Sequence, residues 1–367
     1  MAALDNPGYR RQLDGLRALS VAAVAWSHWR AAWNPHPSIF PGAELGVETF
    51  FVISGFLITG ILLDNRSDAA RSSILKQFYI RRFLRIFPLF YAAILAGLLL
   101  GTDSMGETWC WHVSCLSNIY FYRFGWHGSL SHFWSLAVEE QFYLFWPLLM
   151  AFLPGRYLPV AILLSMLAAP LYAMDMNTFH PGIPSGSTAS ILMPSCMGAL
   201  GMGAWLAWAM RNGMLMRSIK RWLLFLGLLG VGIWYGGGCP ALIKPFNRLA
   251  EDCLLGWLVF SAAEGMGGVP GRFLSCAPMN YLGKISYGLY IIHNFAGPLC
   301  RNTILLVGKP AWLVAMYKVE TLQILMFITV TVGLASLSWY FFEKPINDLK
   351  HRFPYPGNLK SSDPQPE

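Results

Sequence analysis

The chain has 367 residues, of which 55 % are hydrophobic and only 13 % charged, with a net charge of +8 and 15 tryptophans. A soluble domain carries roughly a quarter charged residues, so the composition excludes an ordinary water-exposed fold and points to an all-α, polytopic membrane helix bundle. The basic residues lie between apolar segments and not in one tract. That argues against nucleic acid as a partner and fits charges that set membrane topology.

The first apolar segment follows Arg10 and Arg11, contains Asp14, Arg17 and His28, and lacks a small-residue cleavage site. It is expected to remain in the mature protein. Ten spanning helices are predicted, over 14–33, 45–63, 83–101, 133–153, 158–175, 187–209, 222–237, 248–265, 278–299 and 321–342. Each approaches the roughly 20 residues that cross a bilayer. An inside N-terminus places most Lys and Arg, among them Arg66, Arg81, Arg211 and Lys344, on the inner side. It leaves Arg30, Arg123, Lys244, Arg248, Arg301, Lys309 and Lys318 outside. Both termini are therefore expected in the cytoplasm, with the chain in the inner (plasma) membrane. The predicted organisation is a cytoplasmic segment over 1–11, one transmembrane domain over 12–353 and a disordered cytoplasmic tail over 354–367. The longest outer loop, 102–132, is rich in Trp, Tyr and His and is expected to lie on the membrane surface or dip back into the bundle. Seven cysteines show no zinc spacing. Cys110 and Cys115 share this loop; packing is the preferred reading and a local disulfide the alternative.

The chemistry-bearing residues come in five segments. In LDGLRALSVAAVAWSHW, Arg17 and His28 are eleven residues apart. That places them on nearly one helix face, about 16 Å apart along the axis, with Asp14 one turn below Arg17. Each has a bland reading: a snorkelling anchor for Arg17, a helix cap for Asp14, an interfacial histidine for His28. The joint stripe favours function, because buried ionisable groups in a span face a cavity or a partner. An imidazole is also the natural general base near neutral pH. Glu48 opens the next helix, GVETFFVISGFLITGILL, where it can cap the helix or orient a cation. In FYIRRFLRIFPLFY, Arg82 and Arg85 share a face and form a fork suited to phosphate; a topogenic charge cluster is the alternative. Adjacent Glu139 and Glu140 in HFWSLAVEEQFYLFWPLL diverge by about 100°, so one can pair with an arginine or orient a histidine while the other satisfies a helix end. In YLGKISYGLYIIHNF, Tyr287, Tyr290 and His293 recur at intervals of three and are candidates for one cavity wall. Glu343, Lys344 and Pro345 read as an inner helix end. No Walker loop, HExxH, GxSxG or dinucleotide fingerprint occurs, and no metal is implied.

LDGLRALSVAAVAWSH, GVETFFVISGFLITG, FYIRRFLRIFP, FWSLAVEEQFYLFWP, YLGKISYGLYIIH and FFEKPI follow one another in an order that resembles the acyltransferase 3 family, in register from about Gln12 to about Phe353. The resemblance implies a ten-helix bundle, acyl-CoA from the cytoplasm as co-substrate with no permanently bound cofactor, and an acceptor presented at the outer face. The family's arginine–ten residues–histidine pattern falls on Arg17 and His28, its arginine pair on Arg82 and Arg85, and its double glutamate on Glu139 and Glu140. The usual aspartate after the glycine–valine pair is Glu48 here. Because the chain ends after the bundle, it is expected to carry no second catalytic module.

The expectation is an O-acyltransferase that moves an acyl group, acetyl by preference, from acyl-CoA to a hydroxyl of a saccharide or glycan, with membrane lipid as its surroundings. His28 is the base, assisted by Arg17, Glu139 and Glu140. Arg17, Arg82 and Arg85 hold the CoA phosphates, and Asp14, Glu48, Tyr290 and His293 are assigned to substrate binding. The rival reading is a transporter or flippase for a glycan or lipid, with the buried charges as its path.

Overall fold

The computed structural model describes residues 7–31, 33, 42–67, 70–179, 189–235 and 246–355. Cys239, Lys244 and residues 356–367 of the expected tail lie outside the described residues.

The described residues are all helical and include no strand. The helices are α1 (Pro7–Ala31), α2 (Gly42–Asp64), α3 (Arg71–Leu99), α4 (Met105–Val113), α5 (Ser117–Phe124), α6 (Phe133–Phe152), α7 (Leu158–Phe179), α8 (Met193–Arg211), α9 (Met216–Tyr235) and α10 (Asn247–Glu264). They continue with α11 (Gly268–Leu274), α12 (Ala277–Lys284), α13 (Ser286–Ile292), α14 (Ala296–Leu306), α15 (Ala311–Tyr317), α16 (Glu320–Ser338) and α17 (Lys344–Asp348). By length and composition four stretches can cross a membrane: Gly42–Asp64, Arg71–Leu99, Gly155–Met176 and Glu320–Arg352. A fifth is added if α10 and α11, bent by 80°, form one broken span. Two other helices in the bundle, α1 and α6, carry Asp14, Arg17 and His28 and the glutamate pair, and these charges lower their hydropathy.

The centre of the bundle is α2, and α8 lies against it in the closest of the helix contacts. Small residues make this possible. A Cβ added to Gly55 would run into the Leu200 carbonyl of α8, and one added to Gly203 into the Val52 carbonyl of α2. The two backbones therefore touch at this seam. On the other side of α2, α1 packs along α2 and α12, with Gly283 of α12 against the Asp14 backbone. These contacts hold α1, the carrier of Arg17 and His28, rigidly in the middle of the molecule.

Two predicted segments come out differently. The span expected over 278–299 is broken into α12, α13, a 3-10 turn over His293–Phe295 and α14. At the break, side chains join the backbone bonding: the Tyr290 carbonyl faces His293 Nδ1, and the His293 carbonyl accepts from Trp29 Nε1 as well as from the Ala296 N–H. Pro345 does not end its helix. A π turn over Trp339–Glu343 leads directly into α17, and the chain stays helical to Arg352. The wider turn gives Pro345 a place at the second position of α17, where its missing N–H costs nothing.

The loop over 102–132 dips back into the bundle. Its helices α4 and α5 bury Met105, His112, Asn118 and Phe121. Gln141 of α6 clamps it, donating to the Cys115 carbonyl and to Asn118 Oδ1, both at 2.9 Å. Cys110 and Cys115 are free thiols, in line with the preferred reading. Replacing Gly203 by valine should force α2 and α8 apart and cost about 1–3 kcal/mol by overpacking. Thermal unfolding of the detergent-purified chain is expected to show a lower midpoint than for the exposed control Gly232→Val.

Candidate active site

Two cavities lie end to end in the bundle. The one beside His28, called outer after the expected topology, has about 420 Å³ and is lined by His28, Glu44, Glu48, Trp126, His132, Trp134, Ser195, Arg248, Asp252 and Tyr290, among others. The inner one, about 90 Å³, is lined by Arg17, Ser54, Arg82, Arg85, Ser135, Glu139, Tyr143, Tyr287 and Tyr290, among others. Val47, Phe51 and Tyr290 line both and form the wall between them. The stripe on α1 thus spans the two chambers, with Arg17 in one and His28 in the other.

In the inner chamber Arg17 donates to Asp14 Oδ1 at 2.9 Å. Arg82 lies between the rings of Phe78 and Tyr143, its guanidinium carbon 5.6 and 5.4 Å from their centroids. Neither Arg82 nor Arg85 makes an ion pair or hydrogen bond with a described residue, and Arg85 is exposed. The three guanidiniums repel one another, which an anionic ligand would relieve. Glu139 faces them while accepting from Ser54 Oγ at 2.7 Å. Glu140, its neighbour, lines neither cavity, as the divergence of adjacent helix positions requires. Arg81 is occupied elsewhere, donating to the carbonyls of Lys350 and Phe353.

In the outer chamber the imidazoles of His28, His132 and His293 cluster. Their ring centroids lie 5.1 Å apart for His28 and His293, 4.6 Å for His132 and His293, and 6.4 Å for His28 and His132. Hydrogen bonding fixes the tautomers. His293 Nδ1 lies 2.6 Å from the Tyr290 carbonyl; a carbonyl only accepts, so this nitrogen carries the proton and Nε2 is bare. His28 Nδ1 lies 2.8 Å from that bare Nε2 and must therefore donate to it. The lone pair of His28 is left on Nε2, on a half-buried ring that lines the outer cavity. The wiring ends at a peptide carbonyl, which cannot take up a proton, so His293 orients His28 without draining it.

This places several expected residues differently. His293 is fully buried and lines neither cavity; its ring contacts His28. Asp14 also lines neither cavity and is spent on Arg17. Neither Asp14 nor the glutamates touch the His28 ring, whose orienting partner is another imidazole. Tyr290 lines both chambers, but its hydroxyl donates to the His132 carbonyl at 3.0 Å and contacts Ser135 Oγ. Glu48 lines the outer cavity, its Oε1 2.8 Å from Arg248 Nη2.

Sequence reasoning missed His132, Arg248 and Asp252. Arg248 and Asp252 lie one turn apart in an apolar segment, the same signal that marked Arg17 and His28, and could have been found by it. His132 stands at the head of α6 beside a loop histidine run, and only the fold of the outer loop brings it to the site.

The family described as the acyltransferase domain, of the acyltransferase 3 type, matches residues 10–343. The chain belongs to this family. Among its acyltransferase 3 relatives is the peptidoglycan O-acetyltransferase OatA of Listeria monocytogenes, 28 % identical over 369 residues, covering 92 % of this chain and 56 % of the relative. The O-acetyltransferase OatA of Staphylococcus aureus is 28 % identical over 375 residues, covering 93 % and 58 %. The putative peptidoglycan O-acetyltransferase YrhL of Bacillus subtilis is 28 % identical over 365 residues, covering 91 % and 54 %. The chain thus spans little more than half the length of these curated relatives. No solved structure matches it.

If His293 only orients His28, its replacement should act on turnover and not on binding. His293→Leu is expected to lower kcat for acyl transfer at least ~10-fold, toward the limit set by loss of a general base, with donor KM unchanged. His293→Gln, whose amide oxygen can accept from His28 Nδ1, should recover most of it. Steady-state kinetics of the two purified variants check this.

Proposed function

We propose that this chain is a multi-pass membrane O-acyltransferase that carries an acyl group, acetyl by preference, from cytoplasmic acyl-CoA to a hydroxyl of a glycan at the outer face. The observation that carries the reading is the alignment of two chambers along one helix. Arg82 and Arg85, without carboxylate partners among the described residues, stand in the inner chamber, and an imidazole with a bare Nε2 stands in the outer one. Family membership and the printed names of the relatives, O-acetyltransferases of peptidoglycan among them, support the same reaction class. Ten spans with both termini in the cytoplasm belong to this proposal.

In this reading the CoA phosphates sit at the mouth of the inner chamber on Arg82 and Arg85, with Arg17 held beside them by Asp14. Charge-assisted, bidentate contacts suit that task. The narrow pantetheine arm threads past Val47, Phe51 and Tyr290, over the roughly 16 Å that separate Arg17 from His28. The acceptor hydroxyl gives its proton to His28 Nε2 as its oxygen attacks the thioester carbonyl. The tetrahedral intermediate then collapses, the C–S bond breaks, and the CoA sulfur takes the proton from the His28 imidazolium. The ester stays on the acceptor, free CoA returns to the cytoplasm, and His28 is again neutral. His293 accepts the Nδ1 hydrogen bond throughout and so supports the transient cation.

The test is CoA release by the chain reconstituted in nanodiscs and supplied with acetyl-CoA on the inner side and glycan on the outer. His28→Ala is expected to lower turnover about 10²–10⁴-fold. Arg82→Gln with Arg85→Gln should raise the KM for acetyl-CoA at least ~10-fold, since each charged hydrogen bond is worth about 1.5–3 kcal/mol. Glycan movement without CoA release would instead establish a transporter.

A further inference from the structure

The outer cavity holds a polar group that the proposed reaction does not use. Asp252 of α10 is 3 % exposed, lines the cavity and makes no hydrogen bond. One turn earlier on the same helix stands Arg248, and both of its terminal nitrogens are already committed. Nη1 donates to Ser195 Oγ at 2.9 Å and to the Ser190 carbonyl at 3.4 Å. Nη2 donates to Glu44 at 2.7 Å and to Glu48 at 2.8 Å. Glu48 keeps its second oxygen, Oε2, buried and without a partner. Three carboxyl groups therefore meet one guanidinium, and among the described lining residues no other Arg or Lys enters the cavity.

A buried polar group without a partner costs free energy and marks a place where a ligand can supply the missing hydrogen bond. A carboxylate accepts hydrogen bonds and gives none, so its complement is a hydroxyl or an N–H. An anionic substituent would meet three carboxyl groups and one guanidinium whose terminal nitrogens are already engaged. The lining also includes Phe51, Trp126 and Trp134, and aromatic rings suit the C–H face of a sugar. The volume of about 420 Å³ lies in the range of small-molecule sites.

We propose that the outer cavity is the acceptor site and selects a hydroxyl-rich sugar ring without an ionised substituent, with Asp252 accepting a hydrogen bond from a ring hydroxyl or amide N–H beside the one that reacts. This rests on the O-acyltransferase reading and adds the substrate class. Arg248 is a positioning residue here: it holds Glu44, Glu48 and Ser195 in place and leaves Asp252 as the contact to the sugar.

The experiment compares surface glycans from cells with and without the chain, and identifies the acylated monosaccharide by mass spectrometry. The expected result is an acyl ester on a ring that bears no free carboxylate, phosphate or sulfate in the intact glycan. Esters on a uronate or another acidic ring would overturn the proposal while leaving the enzymatic reading intact. No difference in acylation between the two cell types would remove the reading and the proposal with it. In membranes supplied with acetyl-CoA and the glycan so identified, Asp252→Ala should raise the acceptor KM at least tenfold and leave the KM for acetyl-CoA within twofold. An unchanged acceptor KM, or equal loss for both substrates, would refute the role of Asp252.

Discussion

The hydrogen bond between His28 Nδ1 and His293 Nε2 is the contact on which the geometry of the candidate site turns. It joins the first helix to a segment 265 residues later in the chain. It also decides which nitrogen of His28 is basic. The break between α13 and α14 serves this bond. A continuous helix would have kept the Tyr290 carbonyl in its own ladder, whereas here that oxygen fixes the His293 tautomer. Trp29, the next residue of α1, then anchors the His293 backbone. Local irregularity is part of how the imidazole is aimed.

Around this contact the bundle separates two kinds of electrostatics. Three guanidiniums, of which only Arg17 has a carboxylate partner, collect in the inner chamber, and carboxyl groups gathered on one guanidinium collect in the outer one. Buried ionisable groups are costly in a membrane and persist where they face a cavity or one another. Both chambers follow that rule. The glycine seam between α2 and α8 contributes rigidity: where backbones touch, there is little room for the relative sliding that would misalign the stripe on α1.

Much of this was legible in the sequence. Helix period alone placed Arg17 and His28 on one face, and the structure puts them in consecutive chambers along α1. Arg82 and Arg85 were readable as a fork because both interrupt an apolar run. The divergence of Glu139 and Glu140 followed from helix geometry, and only Glu139 reaches a chamber. What the sequence hid depends on contacts between distant segments. Nothing in YGLYIIHNF says that His293 would meet His28, because the encounter requires α1 and α13 to pack together. The same holds for His132, carried to the site by the folded outer loop, and for Pro345, whose effect is absorbed by a π turn that no local pattern announces.

The wall of Val47, Phe51 and Tyr290 has a physiological consequence. A membrane that stores energy as an ion gradient cannot tolerate a continuous aqueous pore, yet the proposed chemistry draws one reactant from each side. A thin, mostly hydrocarbon septum meets both demands: a slender flexible thread can push through it, while hydrated protons and salt face a dry barrier. The chain would then pass chemical groups across the bilayer without discharging the potential that the cell maintains there.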